Sequence, residues 1–106
     1  MPKSQQDIQK LLIIADKLNS DLKEQLPDGV RFSYEDKSST IVAHFNKQHA
    51  QLVQSLHRNI PVKHELIFKQ ESNLYDLVIN EDTYNEVISQ DAAQYAKKVK
   101  AEIEVN

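Results

Sequence analysis

A chain of 106 residues, 40% hydrophobic and 27% charged with a net charge of −3, has the size and composition of one globular domain and is too short for a second. It has no cysteine, which excludes disulfides, thiolate metal centres and a cysteine nucleophile, and its single glycine excludes a glycine-rich phosphate loop and a Gly-x-Ser-x-Gly nucleophile elbow. The polar start Met1–Lys10 lacks the apolar core of a signal peptide and the longest apolar run, Leu11–Ala15, is far short of a membrane span, so a cytoplasmic protein is expected.

Ser4, with Asp7 three residues on, opens an expected helix over about residues 4–26, in which Ile8, Leu11, Leu12, Ala15, Leu18, Leu22 and Leu26 recur at helical spacing before Pro27-Asp28-Gly29 ends it. Ile13 and Ile14 widen the apolar stripe, which predicts a helix sunk between other elements, with a dimer surface as the alternative. Val30 to Glu35 alternates, and a four-residue turn, Asp36–Ser39, returns the chain so that Tyr34 pairs with Ile41, Phe32 with Ala43 and Val30 with Phe45. A slip of one residue would turn every large apolar side chain to the other face, which fixes the register. Asn46 caps a second helix that runs to Asn59 and is stopped by Pro61.

The same grammar returns thirty-four residues later: a strand from Val62 to Lys69, a turn at Gln70–Asn73, and a strand ending at Asn80, with Phe68 opposite Tyr75, Leu66 opposite Leu77 and His64 opposite Ile79. Thr83 and Glu86 read as a capping box for one last helix, whose stripe runs through Tyr84, Val87, Ile88, Ala92, Tyr95, Val99 and Ile103. The predicted fold class is therefore α+β: two layers, order αββαββα, a four-stranded mostly antiparallel sheet with helices on one face, and a possible duplicated ββα unit over about 30–60 and 62–104 within a single domain of residues 1–106.

Charge is uneven along the chain. Between His44 and Lys69 the bases Lys47, Arg58, Lys63 and Lys69 face one acid, Glu65, and all four histidines lie there; from Gln70 to Ala96 there are six acids and no lysine or arginine. Lys47, Arg58 and Lys63 are thus candidates for a basic partner-binding patch, and His44 and His49 are weak candidates for a metal site, since no carboxylate stands beside them at ligand spacing. The other candidate is the outward sheet face, where Val42, Ile67 and Val78 stand among polar residues and form either an interface or plain solvent-facing surface. Catalysis has little to stand on, since no glycine or strained turn offers an oxyanion hole; Glu81-Asp82, Glu102 and Glu104 are accounted for by a helix start and a solvated tail.

The element order αββαββα resembles the core of the single-motif homing endonucleases. The likeness stops at element order: Leu11-Leu12-Ile13-Ile14-Ala15-Asp16 contains no glycine for close helix packing and reads as helix past Asp16, and the acidic net charge opposes DNA cleavage. No family is assigned on it and no site is carried over. The expected function is a small, acidic, non-catalytic protein-interaction or regulatory module that binds another protein, or itself as a homodimer, through the outward sheet face or the basic, histidine-rich patch, without a cofactor. The alternatives are a nucleic-acid-associated protein using the basic 44–69 segment, and a small enzyme or metal-binding protein.

Overall fold

The structure, a computed structural model, describes residues 3–105; the start and end of the polar terminal stretches, residues 1, 2 and 106, lie outside the described residues. Helix α1 (Gln5–Asp21) begins where expected, with the Ser4 hydroxyl accepting the Asp7 N–H at 3.2 Å. It ends at Asp21 rather than near Leu26. Beyond it the chain loosens into a turn held by the Leu26 N–H on the Leu22 carbonyl, which keeps Leu22 in the core and Leu26 packed against it. Leu11, Ile14, Ala15 and Leu18 are buried, but Leu12 and Ile13 are 47% and 45% exposed. The helix is covered on one side only and is not sunk between other elements. Gly29 takes φ +83 in the turn that follows, where a side chain would be strained.

Strands β1 (Ser33–Glu35) and β2 (Thr40–Asn46) form the first hairpin, with Tyr34 opposite Ile41; β3 (Glu65–Lys69) and β4 (Leu74–Ile79) form the second, with Phe68 opposite Tyr75 and Leu66 opposite Leu77. Both registers are as the alternation requires. Each four-residue turn ends on a residue in the left-handed region, Ser39 and Asn73, both at φ 55, and these occupy the same place in the two copies. β1 starts later than Val30, because Phe32 is bonded elsewhere: the Asn19 amide donates to the Phe32 carbonyl at 2.9 Å and accepts its N–H at 2.7 Å. A side-chain amide on α1 does there what a neighbouring strand would do.

The sheet order is β1-β2-β4-β3, and all three pairings are antiparallel. Its inner face carries Phe32, Ile41, Ala43, Phe45, Leu77 and Ile79, all essentially inaccessible beneath the helices. Phe68 shares that facing yet is 43% exposed, because β3 is an edge strand whose end the helices leave uncovered; it leans on Tyr75 with ring centroids 4.8 Å apart. His64 also departs from expectation: it precedes β3 and is half-buried instead of filling the core.

Each hairpin leads through one turn of 3-10 helix, Lys47–His49 and Glu81–Thr83, into an α-helix: α2 (Ala50–Asn59) and α3 (Tyr84–Ser89). The Asn46 side chain accepts the Gln48 N–H, capping the first as expected. The capping box at Thr83 does not form; its hydroxyl turns back to donate to the Asn80 carbonyl at 2.8 Å. The single final helix is also interrupted. Gln90 is extended, Asp91 accepts the Ala93 N–H at 3.1 Å, and α4 (Ala92–Val105) starts afresh. A straight helix of twenty residues is about 30 Å long and follows one line; the break lets α3 pack on α1 and α4 on α2, burying both Val87 and Val99.

Candidate functional site

The helices pack on the inner face of the sheet, and alternation brings to the outward face Glu35 from β1, Val42 and His44 from β2, Asp76 and Val78 from β4, and Ile67 and Lys69 from β3. Four of these join in a relay that crosses the sheet in strand order. Glu35 Oε2 lies 3.0 Å from His44 Nε2, His44 Nδ1 lies 2.6 Å from Asp76 Oδ1, and Lys69 Nζ donates to Asp76 Oδ2 at 3.0 Å. An imidazole with protons on both nitrogens donates to both carboxylates; with one proton it can satisfy only one of them.

His44 and Asp76 are direct partners in the β2–β4 ladder, which explains their short contact. Glu35 pairs with Thr40, four residues from His44, so its side chain must run along the face past Val42 to reach the imidazole. Val42 is accordingly only 4% exposed, and Asp76 is 2% exposed although no helix covers either. The hydrogen bond to Asp76 and the negative charge of Asp76, with a smaller contribution from the charge of Glu35, raise the Lys69 ammonium above its ordinary value. A cavity of about 320 Å³ is lined by Val42, Ile67, Val78 and Glu65 together with Glu35, Asp76 and Lys69 of the relay.

Val42, Ile67 and Val78 thus meet in one concavity, with Ile67 40% exposed and Val78 half-buried, while the fourth outward aliphatic, Leu74, does not line it. The basic candidates stand on separate elements. Lys47 is at the 3-10 turn after β2, Lys63 is in the loop before β3, and Arg58 on α2 is bonded to Glu102 at 2.9 Å. His44 is held in the relay, while His49 faces a separate cavity between α2 and α4; among the described residues no three His, Asp or Glu side chains gather as a metal site.

Sequence reasoning missed two acids. Asp76 gave no signal, because its partner depended on strand order. Glu102 is not part of a solvated tail: from α4 it accepts from Ser55, from Arg58 at 2.9 Å and from Asn59 at 3.1 Å, clamping the end of α2. Those donors, led by the Ser55 hydroxyl, hold its carboxyl down to about 2. Tyr95, on the same helix, is pushed up to about 12 by burial and by the charge of Asp21.

Comparison of the chain with protein-family models, with curated proteins and with solved structures finds no significant match in any of the three. Among the described residues no helix is long and apolar enough to cross a membrane.

Proposed function

We propose that the chain is a non-catalytic, cytoplasmic protein-interaction module that docks through its outward sheet face, and that the occupant of that face is a second copy of the chain. The observation that carries this reading is the cavity over Val42 and Val78 beside exposed Ile67, an apolar centre framed by charged groups. The frame favours self-association over a polyanion. Under the 34-residue offset Arg31 is replaced by Glu65 and Glu35 by Lys69, so each base at one corner of the face has an acid at the matching corner and no single-sign field arises.

Light scattering at tens of micromolar tests this, with the mass of two chains expected for the wild type and of one chain for Ile67→Lys with Val78→Lys at an unchanged circular dichroism spectrum. A single-chain mass for the wild type sinks the self-docking reading. Retention on heparin at physiological salt would transfer the function to a nucleic-acid partner and the Lys47, Arg58 and Lys63 segment.

A further inference from the structure

The last turn of α2 and the loop before β3 bring two imidazoles together away from the sheet face. His57 Nδ1 lies 2.9 Å from His64 Nε2, and the rings meet edge to face at 85° with centroids 4.9 Å apart. The other nitrogen of His64, Nδ1, donates to the Val62 carbonyl at 2.6 Å. That bond fixes the tautomer: His64 presents a lone pair at Nε2, turned toward His57, and a backbone carbonyl behind the ring raises its basicity, the arrangement found behind metal-bound histidines. Val62, 5% exposed, and Ile60, 4% exposed, anchor the loop on both sides of Pro61, so His64 is held in place before any ligand arrives.

We propose that His57 and His64 form a two-nitrogen site for a first-row divalent ion, with copper(II) preferred over nickel(II) and zinc(II). The 2.9 Å contact is a hydrogen bond with the proton on His57 Nδ1, so both nitrogens face one ion only once that proton leaves and the His57 ring turns. Copper(II) heads the affinity order of first-row divalent ions for nitrogen donors. Binding moves the His57 proton from Nδ1 to Nε2, so that Nδ1 offers a lone pair to the metal while the ring, which is solvent-exposed, turns to aim it. The Nδ1–H of His64 stays on the Val62 carbonyl, and water fills the remaining positions. The site is independent of the sheet face and does not rest on self-docking.

Titration of the full chain with copper(II) chloride, followed by visible absorption and electron paramagnetic resonance, tests the assignment. One ion per chain with two imidazole nitrogens in the spectrum is expected, with affinity lowered about tenfold or more in His57→Gln and in His64→Gln and unchanged in His49→Gln. Because His57 is exposed, His57→Gln decides the matter even where His64→Gln fails to fold. Copper binding that survives His57→Gln undiminished, or a spectrum with fewer than two imidazole nitrogens, overturns the proposal.

Discussion

Ala43 and Leu77 face each other directly across the β2–β4 ladder at the centre of the sheet, and they are also the residues that occupy the same place in the two hairpins. The two ββ units are therefore related by a local twofold axis between these side chains. On one side of it Ile41 faces Ile79, on the other Phe45 faces Tyr75; on the outer face Val42 faces Val78, while His44 faces Asp76. The frame is symmetric, and the polar relay is the part that breaks the symmetry.

Both side chains at the axis are fully buried. Ala43→Leu is expected to lower stability by about 1–3 kcal/mol through overpacking, and Leu77→Ala by about 2–5 kcal/mol through the cavity it leaves. Urea midpoints read both effects.

Asn19 serves both backbone groups of Phe32, a residue 1% exposed. Asn19→Ala leaves a donor and an acceptor unpaired in a nearly dry position, at a cost of about 1–3 kcal/mol. The Phe32 amide should lose hydrogen-exchange protection well before those of β2; unchanged protection would show that another group had replaced the amide.

Removing the carboxylate at the junction of the relay should release both Lys69 and His44. Asp76→Asn is expected to cost about 1–3 kcal/mol, since it weakens two charge-assisted bonds to a residue 2% exposed. The Lys69 ammonium is raised in the folded chain mainly by Asp76, so its share of stability is full below the ordinary lysine value and fades as pH rises through the folded one. NMR of the Lys69 side chain should show its titration moving downward in Asp76→Asn.

Acid should loosen the α2–α4 contact through Glu102. Its carboxyl falls from the ordinary 4.5 to about 2 on folding, so its contribution is present above about 4.5 and lost as pH drops toward 2. Glu102→Gln should flatten the fall in thermal midpoint across that window and leave the neutral-pH circular dichroism spectrum unchanged. An acid limb identical to that of the wild type would show that the clamp contributes nothing there.

The sequence by itself determined the two hairpins, their turns and their registers, because alternation, turn chemistry and the Asn46 cap act over a few neighbouring residues and leave one arrangement that buries the large apolar side chains. It also showed the 34-residue repeat of pattern, while the left-handed conformation shared by Ser39 and Asn73 is a finding of the structure. It did not determine that the last helix breaks at Gln90, since the apolar stripe through Val87 and Val99 is continuous and only the positions of α1 and α2 require two directions. Nor did it determine the candidate sites. Val42, Ile67 and Val78 were legible as outward residues, but the relay from Glu35 to Lys69 required the order β1-β2-β4-β3, and the meeting of His57 with His64 required the path of the chain around Pro61. Contacts of that kind join segments with no local sequence relationship, and packing of the whole chain alone decides which of them meet.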